Sequence, residues 1–299
     1  MTITDDEAQR LHAVKDKIRT VFGGWSKGTT IAEMRAEFDQ MLASDRAATI
    51  EPLQIGEIQA DRILANGSDG RTVLYFHGGG YQMGSRFSHR DLMIRLSEAG
   101  GADVIGFDYR LAPEHRFPAS VQDGVAAYRW LLESGHPADS IAFAGDSAGA
   151  GLAVATLLAV REDGLPLPRA AVLLSPWLDM EATGETYQSR ADVDPMTQRD
   201  KIRLMARAYL GRTGDPRDPL ASPIHGDLAG LPPLLIHVGD HETILDDSRV
   251  FAERARAAGV PVTLTVFDEM IHHFQVFPEL EASGRSLQEI SAFLRDAWR

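Results

Sequence analysis

The stretch IAFAGDSAGAGLAVATLLAV, residues 141–160, decides how the chain folds. It starts as a short apolar run, IAFA, of the length and character of a buried strand. It ends as a longer apolar run, Ala148 to Val160, suited to a buried helix. Between the two, Ser147 sits with Gly145 and Gly149 on either side, at −2 and +2. A strand that turns sharply into a helix strains the residue at the apex, and small neighbours remove the clashes. The same Gly-x-Ser-x-Gly spacing recurs as GWSKG at 24–28, but there it joins two helical patterns and no strand precedes it. Ser147 is therefore the candidate nucleophile, and GWSKG is a turn between helices.

Outward from this stretch, short apolar runs end in glycine or polar turns: TVLYF (72–76), DVIGFDY (103–109), AAVLLSP (170–176), PLLIHVG (233–239) and VTLTVF (262–267). Helical patterns lie between them at 88–99, 119–134 and 246–258. Strands alternating with helices imply right-handed βαβ units and a mostly parallel sheet. Before residue 50 the pattern is helical: Leu11, Val14, Ile18 and Phe22 share one face, as do Ile31, Met34, Phe38 and Leu42. Residues 180–212 break the rhythm with helix and no clear strand. The expected organisation is an N-terminal helical cap segment at 1–45 and a core at 46–299 that carries a cap insertion at about 180–212.

Composition bounds the rest. A chain of 299 residues, 44% hydrophobic and 24% charged, can bury a full core. The net charge of −13 argues against nucleic acid and anionic membranes as partners. Without cysteine there is no disulfide and no thiolate metal site. The acidic start MTITDDEAQR has no secretory pattern, and no run is long enough to span a bilayer, so the expected location is the cytoplasm.

A reactive serine needs partners. HGGGY, residues 77–81, follows the strand TVLYF, and its glycines free backbone N–H groups to face a developing oxyanion. When a strand–serine–helix turn carries the nucleophile, the acid and then the histidine follow it in the chain. The pair in MIHHF sits just past the last strand, which selects His272 as base and leaves His273 as a wall residue. The acid should follow PLLIHVG, within GDHETILDD. Asp246 and Asp247 suit the start of the next helix and Asp240 suits a turn, so Glu242 is preferred, then Asp240, then Asp246. Neither a metal nor a cofactor is required. A metal set of His237, Asp240, His241 and Glu242 is the weaker reading of the same loop.

Taken together, HGGGY, DYRLAPEHRFPA (108–119), GDSAGAGLA, LPPLLIHVG and MIHHF resemble the bacterial hormone-sensitive-lipase family (family IV) of esterases in the α/β-hydrolase superfamily. The resemblance covers about residues 70–280. It implies an α/β-hydrolase fold: a mostly parallel twisted sheet, helices on both faces and a small helical cap. It also implies Ser147 as nucleophile, His272 as base, and an oxyanion hole from the amides of Gly78, Gly79 and Ala148. The acid loop departs from the family's Asp-Pro-Leu motif, and a branch of the family with glutamate in a similar loop supports Glu242. Asp108, Tyr109, Arg110 and Glu114 resemble positions that brace the oxyanion loop.

The implied activity is hydrolysis of short to medium acyl esters, with amides, lactones or acyl transfer as alternatives on the same residues. A non-catalytic receptor, as in plant gibberellin receptors of this fold, is disfavoured because all three catalytic positions can be filled. The implied partner is a small-molecule ester, and the family admits a homodimer through the last strand. Phe22, Trp25, Met83, Phe87, Trp177, Met180, Met205 and Tyr209 are the candidate pocket residues. Replacing Ser147 with alanine should abolish turnover of p-nitrophenyl acetate, whereas Ser26→Ala should leave it nearly unchanged. The reverse outcome would move the nucleophile to GWSKG.

Overall fold

The computed structural model describes residues 3–68 and 70–299. Two helices come first, α1 (Asp5–Gly24) and α2 (Ile31–Leu42). Thr4 caps the first by accepting from the Glu7 amide, and Thr30 with Glu33 forms a reciprocal capping box on the second. GWSKG is the turn between them, and its Ser26 accepts from the Gly28 amide.

An antiparallel hairpin follows, β1 (Ile50–Ile55) and β2 (Ile58–Ile63). Then come β3 (Thr72–Phe76), α3 (Arg90–Gly100), β4 (Asp103–Phe107), α4 (Ala119–Glu133), β5 (Ile141–Asp146) and α5 (Ala148–Glu162). The rest is β6 (Ala170–Leu174), α6 (Thr186–Ser189), α7 (Arg199–Leu210), β7 (Leu234–Gly239), α8 (Leu245–Ala257), β8 (Val262–Phe267) and α9 (Glu281–Ala297). The six strands expected from apolar runs are all present. The hairpin β1–β2 and the C-terminal helix α9 are additions to that expectation. Residues 180–212 hold α6 and α7 and no strand.

The eight strands form one sheet in the order β1-β2-β4-β3-β5-β6-β7-β8. β1–β2 and β2–β4 pair antiparallel, and the six strands from β4 to β8 run parallel. Strand side chains alternate between faces, and each face builds its own core. Leu74, Phe76, Ile105, Phe107 and Phe143 pack with α4, α5 and α8 on one face. Val73, Tyr75, Val104, Ala144 and Leu174 pack with α3, α9 and the N-terminal helices on the other.

The parallel order sends the carboxyl ends of β3, β5, β7 and β8 to one edge, where ligands of open α/β sheets bind. The glycine loop, Ser147, Glu242 and His272 each follow one of these strands. No helix among the described residues is long and apolar enough to cross a membrane.

Candidate active site

Ser147 occupies the apex between β5 and α5 with φ 51° and ψ −123°, a conformation that L-residues rarely adopt. Close packing holds it there. The Ser147 amide donates to the Leu174 carbonyl at 2.8 Å, and the Trp177 amide donates to the Ser147 carbonyl at 3.1 Å. Gly149 lies so near the end of β3 that a Cβ there would meet the Phe76 carbonyl oxygen at 2.1 Å and that of His77 at 2.4 Å. A side chain at Gly145 would meet the same Phe76 oxygen at 2.7 Å. The two flanking glycines are thus required by the approach of β3, not only by the turn.

Three side chains form a relay from this apex. His272 Nε2 lies 2.8 Å from Ser147 Oγ, and His272 Nδ1 lies 2.9 Å from Glu242 Oε2. All three residues are buried. The second carboxylate oxygen of Glu242 accepts from the Gly239 amide and from the Ser175 hydroxyl at 2.7 Å. The competing acids are engaged elsewhere. Asp240 accepts from the Glu269 amide, Asp246 from the Thr186 amide, and Asp247 from the amides of Leu178 and Asp179. His237, from the alternative metal set, turns instead to Ser286 at 2.8 Å and Glu289 at 3.1 Å.

Burial pushes the Glu242 carboxyl up to about 8, against the Gly239 and Ser175 donors that favour its ionised form. Burial also lowers His272 below 6.5, opposed by the carboxylates of Asp194 and Asp146. Glu242 and His272, 2.9 Å apart, titrate as a pair, and the form with ionised Glu242 and neutral His272 is the one able to take a serine proton. That form is lost as pH falls, because either group takes up the proton.

The glycine loop corrects one expectation. The Gly78 amide donates at 2.9 Å to Asp146 Oδ1, and a Cβ at Gly78 would lie 2.1 Å from Asp146 Oδ2, so this N–H is spent on a carboxylate. The next residue takes its place. Among the described residues the amides of Gly79, Gly80 and Ala148 donate to no protein acceptor. Gly79 and Gly80 line the cavity above Ser147 at φ 120° and 64°, while Ala148 is the first residue of α5, where a free N–H is inherent to the helix.

Asp146 is the hub behind this loop. Besides Gly78 it accepts from Tyr75 Oη at 2.7 Å and bonds the rings of His273 at 2.9 Å and His89 at 3.2 Å. Burial alone would raise its carboxyl, but His89 and the His273 hydrogen bond outweigh burial and hold it well below the usual carboxylate range. His89, Asp146 and His273 bring ligand atoms within 4.8 Å of one another, a spacing that these hydrogen bonds account for.

The bracing residues divide. Tyr109 donates to the His77 carbonyl at 2.7 Å and stacks on its ring at 4.2 Å, and Asp108 pairs with Arg86 of the same loop. Arg110 reaches Asp123 on α4 instead, and Glu114 pairs with Arg35 of α2. Arg35, unmarked in sequence, also donates to the carbonyls of Gln82 and Ala112, tying α2 to both loops.

The cavity over Ser147 is a narrow, partly open cleft of about 30 Å³. Phe22, Met83, Trp177 and Met205 line it as expected, with Phe38, Met196 and Ile202 in addition. Trp25 lines an adjoining open cavity of about 240 Å³ that shares Phe22, Met83 and Met205. Three expected pocket residues lie outside both cavities. Phe87 is exposed between Arg86 and Arg90, whose cations sit over its ring. Met180 is buried in the core, and Tyr209 stacks on Tyr81 at 3.9 Å and bonds Ser120. His273 lines the cavity as a buried ring held by Asp146.

Residues 73–276 match the family model for the α/β-hydrolase fold. An acetyl-hydrolase from Streptomyces hygroscopicus is 48% identical over 244 residues, 81% of each chain. An esterase from Acinetobacter venetianus is 33% identical over 249 residues, 82% of each. A crystal structure of an esterase from the bacterial hormone-sensitive-lipase family superposes with a TM-score of 0.93 at 43% identity, over 100% of both chains. The chain belongs to the family IV esterases of the α/β-hydrolase superfamily. In this family member Ser175, absent from the sequence reading, bonds both Glu242 and the His273 amide, so one hydroxyl orients the acid and the histidine loop.

Ser175→Ala removes a donor to a buried carboxylate and leaves KM largely intact. The expected result is a loss in kcat of about tenfold, with the acid limb of the pH profile displaced to higher pH because Glu242 ionises less readily. An unchanged limb would contradict the positioning role.

Proposed function

We propose that the protein hydrolyses carboxylic esters of short to medium acyl chains through an acyl-enzyme on Ser147. The observation that carries this reading is the relay from Ser147 through His272 to Glu242, with bonds of 2.8 and 2.9 Å. Ser147 Oγ attacks the ester carbonyl while His272 Nε2 takes its proton. Glu242 holds the Nδ1 proton in place and stabilises the imidazolium. The carbonyl oxygen becomes an oxyanion held by the amides of Gly79, Gly80 and Ala148, each donor contributing about 3 kcal/mol to the barrier reduction. His272 then returns the proton to the leaving alcohol. Water enters, gives a proton to His272 and attacks the acyl carbon; the acyl–oxygen bond then breaks, His272 hands the proton to Ser147 Oγ, and the acid leaves.

The short-chain preference follows from the cavity. Its apolar wall takes methylene groups, and the free space above Ser147, about 30 Å³, closes early against Phe22, Phe38 and Met205. The name of the Streptomyces relative, an acetyl-hydrolase, supports a small acyl group. The residues that narrow the cavity come from α1, α2 and the 180–212 insertion, and we assign these as the cap over a core of residues 46–299. Residues 1 and 2 of the 1–45 segment lie outside the described residues.

A series of p-nitrophenyl esters from acetyl to dodecanoyl, run beside the matching anilides, tests the reading. kcat/KM should peak at or below hexanoyl and fall by about tenfold or more at dodecanoyl, with anilides slower throughout. Best turnover of the longest chain would contradict the pocket assignment. Faster anilides would make the protein an amidase.

A further inference from the structure

The cavity over Ser147 and the adjoining one are mostly apolar, interrupted by Ser147, Thr197 and two histidines in the first and by Ser26 and Gln82 in the second. Lys201, in the first turn of α7, lines both, together with Phe22, Met83 and Met205. Apart from the imidazole rings of His272 and His273, it is the sole titratable side chain on the wall of the first cavity. It is also the sole titratable one on the second. Its neighbours on the helix are committed elsewhere, since Arg199 and Arg203 donate to the carbonyls of Ala182 and Glu181 in the insertion. The acid behind this wall, Asp194, is saturated by the amides of Met196, Thr197 and Thr243. Among the described residues Lys201, an exposed side chain, therefore has no carboxylate partner where it lines the rim shared by the two cavities.

We propose that Lys201 is a specificity-determining residue that selects esters carrying an anionic group, a carboxylate or phosphate, on the arm that extends from the reacting carbonyl into the second cavity. An exposed ammonium at the rim of an apolar cavity attracts an anion modestly more than one in open water, because the apolar wall on one side screens less. The protein as a whole, at −13, repels anions, so a local cation discriminates by position rather than by bulk field. Lysine acts here as a flexible point charge and needs no fixed fork geometry from its ligand.

This inference rests on ester hydrolysis at Ser147, and the experiment separates the two. Two substrate pairs matched in length are compared. One is 4-nitrophenyl pentanoate with mono-4-nitrophenyl glutarate, which puts the charge on the acyl arm. The other is 4-methylphenyl acetate with 4-acetoxybenzoate, which puts it on the alcohol arm. In at least one pair the ratio of kcat/KM, anionic over neutral, should fall about fivefold in Lys201→Met and be retained in Lys201→Arg. The wild-type ratio should also fall as salt is raised. Equal ratios in wild type and Lys201→Met for both pairs would overturn the inference, as would an equal fall in Lys201→Arg. Absence of turnover of the neutral esters by the wild type would overturn the proposed function instead.

Discussion

The carboxylate of Asp146 is the contact on which the geometry of the site depends. It is fully buried at the end of β5, one residue before the strained Ser147. Four donors from four separate segments converge on it: Tyr75 from β3, Gly78 from the loop that follows, His89 from the approach to α3, and His273 from the loop after β8. A buried ionised carboxylate is costly unless its lone pairs are filled, and here they are. The same bonds fix where the glycine loop runs, because committing the Gly78 amide rotates the next two into the cavity. They also hold the residue beside His272. Loss of this one group would loosen the oxyanion loop and the histidine loop together.

The strain at Ser147 is the second constraint, and it is held by sterics. The end of β3 packs against Gly145 and Gly149 so closely that no side chain fits. The turn is consequently locked from outside, and the energy stored at φ 51° cannot relax. Ser175, at the end of β6, repeats the device at φ 47° and uses it to aim a hydroxyl at Glu242. Two strained serines at adjacent strand ends thus fix the places of the Ser147 hydroxyl and the Glu242 carboxylate.

Much of this was legible in sequence, for identifiable reasons. Parallel strands buried on both faces leave continuous apolar runs, so β3 to β7 were visible as such, and the edge strand β8 through its alternating VTLTVF. The hairpin β1–β2 was not, because IEPLQI and IQADRI are half-exposed and interrupted by charge and proline. Helix α9 was not read either, although Leu287, Ile290 and Leu294 carry its signal at helical spacing and are buried in the core. The acid could be ordered among its rivals because Asp240 and Asp246 sit where turns and helix starts take carboxylates, and there they bond backbone amides. The choice of Gly78 for the oxyanion hole failed because which amide stays free is set by Asp146, 68 residues away in the chain. Phe87, Met180 and Tyr209 failed likewise: their neighbours across the fold, not their own apolar character, decide whether they reach the cavity.

The central claim is that Ser147 reacts and that the oxyanion faces Gly79, Gly80 and Ala148. The most direct test is a crystal structure of the protein inactivated with diethyl p-nitrophenyl phosphate. Phosphorus bonded to Ser147 Oγ, with the phosphoryl oxygen within hydrogen-bond distance of those three amides and the Gly78 amide still on Asp146, is the predicted result. An adduct on another residue, or a phosphoryl oxygen turned away from the glycine loop, would contradict it.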